Sequence, residues 1–531
     1  MVQPAGAFIS PGGYMRIQKL LLVIVNVVLL NFTSSLMAQT PGFFRDIFSD
    51  GGVHLSPNLY LDAAETSGLT IEYLGTSSID VQDEVMISSE FDSNGHLLYP
   101  DGSPRFRMIY TNGGSSTNHG NSLGPEGRDR VRAFYAAGGS YAGSCAGAFI
   151  TSLHYEDTGV HTPYYHIWPG RTGRTHLLDS YTGHAIPENS PLLNYYDFGS
   201  DHYIDNVRHN GGCWGREDLD FPPETEILTR YVVQGISVVN GKASTWAYKP
   251  DSTKGRIVVT GSHPESASSG EILNMMQAIL LYALDGVGNP VVKANLLKGE
   301  ARLMNLDTED NLPAYTRIGD RQYHHFTIDI PPGTPEVTIE MYAEPGFDFN
   351  LYANPNSYAF EGEARHTSTM SGPYHIMSFE PEESGVWYIG VECATTVDEY
   401  YATYTGQTEV LNGVAYEITA SWDVVEVADE LSIPFSFKLY QNYPNPFNPA
   451  TTINYELPGA GWVNLVIYDI RGRQITSLTD TYFSEGSHSV NWVAQDESGR
   501  PLHSGIYLYQ LTFTNQAGES HRDMRKLTLL E

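Results

Sequence analysis

GRDRVRAFYAAGGSYAGSCAGAF, residues 127–149, is the stretch on which the reading of the first half of the chain turns. Its opening, GRDRVRAFYAAGG, predicts a helix stopped by a glycine pair. The small residues that follow lead into Gly143-Ser144-Cys145-Ala146-Gly147. A side chain displayed between a strand end and a helix start needs a sharp, strained turn, and only very small residues two positions to either side let the backbones approach closely enough. The segment AGAFITSLHY, residues 146–155, is apolar enough to start a buried helix whose N-terminal amides would favour a thiolate at Cys145. A glycine-flanked cysteine also serves as a small buried filler, and this motif alone leaves both readings open.

Working outward, RFRMIYTNGG (105–114) reads as a strand entering a glycine loop, GRIVVTGSHPE (255–265) as another strand, and SGEILNMMQAILLYALDG (269–286) as an amphipathic helix. Strands alternating with helices of this length imply a parallel sheet covered on both faces, so residues 39–290 are expected to form an α/β domain. From 291 to 425 the pattern changes to period two, as in EVTIEMYAEP (336–345) and GVWYIGVEC (385–393), which predicts an all-β sandwich. Residues 426–440 read as a linker, and 441–531 as a second, smaller β-sandwich built on WVNLVIYDIRGRQI (462–475), HSVNWVA (488–494) and GIYLYQLTF (505–513).

The chain carries 62 acidic against 30 basic residues, a formal charge of −32. That balance excludes nucleic acid as a partner, because a nucleic-acid binder needs a basic face to release counterions. Cys145, Cys213 and Cys393 are the three cysteines, too few for a disulfide framework and too scattered for a zinc site. The segment from Met15, MRIQKLLLVIVNVVLLNF, joins a basic start to an apolar run and leads to SSLMA ending at Ala38. Residues 1–38 therefore read as a cleaved signal peptide, with Met15 a candidate true start. The apolar run is shorter than the roughly 20 residues that span a bilayer, so no stable transmembrane anchor is expected.

A thiol nucleophile needs a base, and the base needs a carboxylate to orient it. His263 and Glu265, directly after the strand RIVVTGS, project to one side if the backbone stays extended. Acyl chemistry also needs an oxyanion hole, for which the backbone amides of Ala146 and of Gly113 or Gly114 are the natural donors. Seven histidines between 154 and 209 (His154, His161, His166, His176, His184, His202, His209) invite a metal, but no pair has a compact ligand spacing, and no metal is expected there. Asn210, Gly211 and Gly212 are expected to line the site with backbone amides, and Cys213 to be a structural thiol.

These residues carry a resemblance. GGSYAGSCAGAF, the upstream TNGG and the downstream GSHPE resemble the class I glutamine amidotransferase superfamily, whose Cys-His-Glu triad occurs in this chain order. VRHNGGCW (207–214) followed by HPE is similar to the family named for the N-terminal domain of biotin-protein ligase. The resemblance implies a flavodoxin-like sheet, with Cys145 as nucleophile, His263 as base and Glu265 as its orienter. No GRGRxG-type loop follows, so ligase activity is not implied. GFDFNLYANP and GVWYIGV resemble the bacterial pre-peptidase C-terminal domain, an accessory module of secreted hydrolases. Asp348 and neighbouring acids are candidate calcium ligands there, against the plainer reading of turn-forming acids; no other cofactor is expected. LYQNYPNPFNPATTINYELP (439–458), SGIYLYQLTF and the terminal RKLTLL resemble the type A sorting domain of the type IX secretion system, which implies Sec export through the periplasm of a Gram-negative cell to the outer surface.

The expected function is a secreted cysteine amidohydrolase acting on a small γ-glutamyl or peptide-like amide. The alternative is a surface protein whose pocket holds a ligand or glycan without turnover.

Overall fold

The structure, a computed structural model, describes residues 41–50, 61–73, 93–235, 237–400, 403–423, 437–442, 444–515 and 518–530. The expected signal peptide and most of the expected linker lie outside the described residues. The chain divides into two units, Met1–Val425 and Glu426–Glu531.

In the first unit a ten-stranded sheet holds β1 (Arg45–Ser49), β2 (Ile71–Tyr73), β3 (Phe106–Thr111), β4 (Ser140–Ser144), β5 (Ser152–Tyr155), β6 (Trp168–Ala185), β7 (Tyr203–Gly215), β8 (Thr225–Val232), β9 (Ala243–Tyr248) and β10 (Ile257–Thr260). β2, β1, β3, β4 and β10 lie side by side and parallel. Beyond β10 the sheet turns antiparallel, through β9 and β8 and into the long β6–β7 pair, and β5 closes that edge parallel to β6. β4 and β10 are buried along their whole length, which is why both read as runs of small and β-branched residues without alternation.

The expected flavodoxin-like α/β domain is overturned by this architecture. The protein is mostly β, and the parallel strands are only half of one mixed sheet. The helix between β1 and β2, Asp62–Thr66, has five residues, and the one after β4, Ala146–Phe149, has four. The physical reason lies in residues 150–250. Their histidines, tyrosines and glycines carry no helical periodicity, and the chain there pairs with itself in antiparallel strands instead of crossing over through helices. The helix Gly270–Leu284, expected to be amphipathic, is buried almost throughout from Leu273, packed against the sheet and against Asp62–Thr66.

The same unit continues into two further sheets. One has five strands in the order Val292–Asn295, Tyr323–Ile330, Gly385–Cys393, Phe349–Pro355, His366–Ser368; the other has four, Ala301–Met304, Tyr416–Asp423, Glu336–Ala343, Tyr374–Phe379. Glu336–Ala343 alternates exposed and buried positions, with Val337, Ile339 and Met341 inside. These sheets share one hydrophobic cluster with the first, running from Phe44 and Phe106 to Met304, Phe326 and Trp387.

Buried charges tie the two parts together. Arg105 holds Asp320 with two parallel bonds, Nε to Oδ1 at 3.1 Å and Nη2 to Oδ2 at 2.8 Å. Lys293 Nζ reaches Asp101 Oδ2 at 2.5 Å. Around Arg105, Glu72 Oε1 lies 2.7 Å from His96 Nε2, and the Tyr404 hydroxyl donates to Glu72.

The second unit is a three-stranded sheet (Lys438–Leu439, Ala450–Leu457, Gly486–Val493) and a four-stranded one (Gln474–Phe483, Gly461–Asp469, Gly505–Asn515, Ser520–Leu529). Its core gathers Ile453, Leu465, Ile467, Tyr509 and Leu511. The DIRG turn is pinned by Asp469 Oδ1, which accepts from the amides of Arg471 and Arg473 at 2.9 Å.

Candidate active site

Three neighbouring parallel strands, β3, β4 and β10, end at the same edge of the sheet: Thr111 pairs with Gly143, and Ser144 with Thr260. The chain leaves each of them into one of the predicted site segments. These are Asn112–Gly113–Gly114, Cys145 and Gly261–Ser262–His263. The Cys145 amide donates to Thr260 O at 2.9 Å, and its carbonyl accepts from Ala148 and Phe149, both at 3.1 Å.

Cys145 sits at φ 49°, ψ −101°, a strained conformation for a residue with a side chain and one expected of a displayed nucleophile. The flanking glycines are sterically required. A Cβ on Gly143 would lie 2.7 Å from the Gly147 carbonyl carbon, and one on Gly147 would lie 2.0 Å from Thr111 O. Backbone cannot move aside there without dismantling β3. Gly147→Ala is therefore expected to lower stability by about 1–3 kcal/mol and to slow Cys145 alkylation, measured by chemical denaturation and by iodoacetamide labelling of the same sample. Unchanged labelling would mean that the turn does not need the close approach.

His263 and Glu265 are joined, Nδ1 to Oε1 at 2.8 Å, but not along an extended backbone. A single turn of 3-10 helix at Pro264–Ser266 folds the carboxylate back onto the ring, and the His263 amide is held by Arg208 O at 2.9 Å. Nδ1 is thus committed to Glu265, which leaves Nε2 for the thiol side. Burial works to lower the His263 pKa, but the Cys145 side chain and Glu265 outweigh it and push it up to about 10. Among the described residues no hydrogen bond of ordinary geometry yet joins Nε2 to a partner, as is common in sites that tighten on their substrate. A Cβ on Gly113 would lie 2.5 Å from His263 Cε1 and 3.6 Å from Cys145 Cβ, so the glycine loop, the imidazole and the thiol meet at one point.

Cys145 opens into a cleft of about 430 Å³ that is also lined by Gly114, Asn210, Gly211 and Gly212. The Gly113 amide donates to Asn112 Oδ1 at 2.6 Å, so of the two loop glycines Gly114 is the better placed oxyanion donor, opposite the start of the helix at Ala146. The stretch 150–215, expected from its His, Tyr and Gly to contribute to the pocket, supplies Tyr155, Tyr164 and Arg174 of the far wall, but sequence reasoning singled out none of these side chains, nor Ser115, Ser116 and Thr117 beside them. The wall's signal was present only as alternation on β6, where Arg174, His176 and Leu178 all face the cleft.

The seven histidines do not converge. His176 lines the cleft, His161 bonds Thr117 Oγ1 at 3.1 Å, and His184 and His209 are buried side by side behind it. Burial, with the nearby His263 charge, pushes His209 down to about 4. Among the described residues no three His, Cys, Asp or Glu side chains gather into a metal-binding group. All three cysteines are free; Cys213 is fully buried, and burial together with Cys145 pushes its thiol up. The Asp348 carboxylate accepts from Ser371 Oγ at 2.8 Å.

No curated protein matches the chain. Among solved structures it is similar to dimeric latent PorU from Porphyromonas gingivalis, at 12% identity over 66% of this chain and 30% of that one, with a TM-score of 0.17. It is also similar to FLGD from P. aeruginosa, at 21% identity over 15% of this chain and 61% of that one, TM-score 0.14. A third is CopC from Methylosinus trichosporium OB3b, at 12% identity over 18% of this chain and 93% of that one, TM-score 0.13. At such scores none of them carries an argument about fold or activity. No helix among the described residues is long and apolar enough to cross a membrane. Residues 441–522 match the Secretion system C-terminal sorting domain, the tail that engages type IX secretion, and the chain is accordingly a secreted or outer-surface protein.

Proposed function

We propose that this protein is a secreted cysteine amidohydrolase acting on a small γ-glutamyl or peptide-like amide. The observation that carries the reading is the convergence of the strained Cys145, the His263–Glu265 pair and the Gly113–Gly114 loop at the ends of three adjacent strands, beside an open cleft. The motif resemblance to class I glutamine amidotransferases, in residue types and in chain order, supports the same roles. The resemblance of residues 291–425 to the pre-peptidase C-terminal domain fits an accessory module carried by a secreted hydrolase.

The Cys145 thiolate attacks the amide carbonyl carbon, forming a C–S bond, and the carbonyl electrons move to oxygen, where the Gly114 and Ala146 amides receive the charge. The His263 imidazolium gives its Nε2 proton to the departing nitrogen as the C–N bond breaks, leaving a thioester and a free amine. Neutral His263 then takes a proton from water. The hydroxide adds to the thioester carbon, the C–S bond breaks, and the acid product leaves with the thiolate restored.

The test is the pH dependence of Cys145 alkylation by iodoacetamide, read by peptide mass spectrometry on the full chain. Alkylation near neutral pH is expected to slow in His263→Ala, which removes the imidazole beside the thiol. Alkylation indifferent to His263 across the pH range would sink the amidohydrolase reading and leave a pocket that binds without turnover.

A further inference from the structure

The long β6–β7 pair carries, beside the cleft, an irregularity that the triad does not use. Arg174 pairs with Cys213, Leu177 with Gly211 and Ser180 with His209. β6 thus advances three residues while β7 advances two, twice in succession, which places two consecutive bulges between Arg174 and Ser180. His176 and Asp179, one in each bulge, stand at φ 57° and 42°, in the left-handed region that residues with a side chain rarely occupy. Such strain persists only where the surrounding structure holds it, and bulges beside active sites re-aim side chains.

The side chains in question are a pair of leucines. Leu177 packs against Trp214, Tyr231 and Val239, whereas Leu178 lines the cleft and is 73% exposed. A leucine exposed alone on a surface needs no explanation, but this one continues an apolar wall. Phe149, Tyr155 and Tyr164 line the same cleft. Their rings meet edge to face, with centroids 5.8 Å apart for Phe149 and Tyr155 and 6.1 Å apart for Tyr155 and Tyr164. The wall begins at the nucleophile's own turn, because the Phe149 amide donates to Cys145 O at 3.1 Å. Among the described residues no aspartate or glutamate lines the cleft, so a cationic group finds no counter-charge there.

Resting on the amidohydrolase reading, we propose that the substrate carries a neutral apolar group beside the scissile amide, the size of a phenyl ring or a branched aliphatic side chain, and that Leu178 is the specificity residue that covers it at the rim. Seating that group removes apolar surface of both partners from water, and a polar group of similar reach gains nothing from the same contact.

The experiment alkylates Cys145 in the full chain with iodoacetanilide and with N-(2-hydroxyethyl)iodoacetamide, in the wild type, Leu178→Ser and Leu178→Met. Each rate is read by peptide mass spectrometry and divided by the rate of the same reagent with glutathione. In the wild type the phenyl reagent is expected to exceed the hydroxyethyl one by about fivefold or more, the scale of a partly buried leucine contact. That preference is expected to fall to near unity in Leu178→Ser and to survive in Leu178→Met, which keeps the apolar surface. The proposal is overturned if the wild type shows no preference, if the preference persists in Leu178→Ser, or if neither reagent reaches Cys145. Because both reagents are compared on one thiol, their ratio is independent of that thiol's own reactivity. Failure of the catalytic reading shows separately, as iodoacetamide alkylation indifferent to His263 with the ratio intact.

Discussion

Arg105→Met is expected to destabilise the first unit by about 3–5 kcal/mol, the usual consequence of removing one partner from a buried ion pair. Arg105 is 2% exposed and Asp320 1% exposed, so neither charge can turn to water when the other is lost. Burial opposes the Arg105 cation, and Asp320, Tyr404 and Glu72 together hold it charged. The variant therefore leaves the Asp320 carboxylate buried without its cation. Native-state hydrogen exchange of the β3 amides, Phe106–Thr111, reads the loss directly, because β3 is central in the sheet that Arg105 anchors. The double variant Arg105→Met, Asp320→Leu is expected to recover part of the loss, since an apolar pair of similar size leaves no orphan charge. A single-variant loss below about 1 kcal/mol would mean that water reaches the pair, as in exposed bridges.

The same network sets a pH dependence. Burial raises Glu72 from 4.5 to about 7, against the opposing pull of Arg105 and Tyr404. The folded protein thus holds a proton that the unfolded chain has released between these two values. The associated stability is complete below about pH 4.5 and is lost as pH rises through about 7. Glu72→Gln is expected to flatten this slope relative to the wild type over the same window.

The second large effect concerns turnover. His263→Ala is expected to lower kcat/KM for amide hydrolysis by about 10²–10⁴-fold, the range supplied by a positioned acid–base group. Acylation needs the imidazolium to protonate the departing nitrogen, and Cys145 and Glu265 keep that imidazolium charged up to about pH 10 against the effect of burial. In the wild type kcat/KM is expected to fall above about pH 10, and this alkaline limb is expected to disappear in His263→Ala. Glu265→Gln keeps the hydrogen bond to Nδ1 but removes the charge, so the limb is expected to move toward the ordinary histidine range. A profile unchanged by either variant would assign the proton transfer to another group.

The sequence by itself determined the local geometry: the Gly143–Gly147 turn at Cys145, the closeness of His263 and Glu265, the strand character of RFRMIY and RIVVT, and the terminal sorting tail. Each of these is a short-range pattern, in which a few neighbouring residues decide the backbone. Only the tertiary structure decided that β3, β4 and β10 are adjacent and parallel, which is what brings three remote segments to one point. It also decided that residues 150–250 are not the helical half of an α/β domain. There the long β6–β7 pairing is stabilised by cross-strand partners up to some forty residues apart in sequence, such as Thr172 with Gly215, and no local periodicity announces it. The Arg174 wall of the cleft and the Arg105–Asp320 tie belong to the same class. Side chains remote in sequence meet there, and their pairing is a property of the packed chain alone.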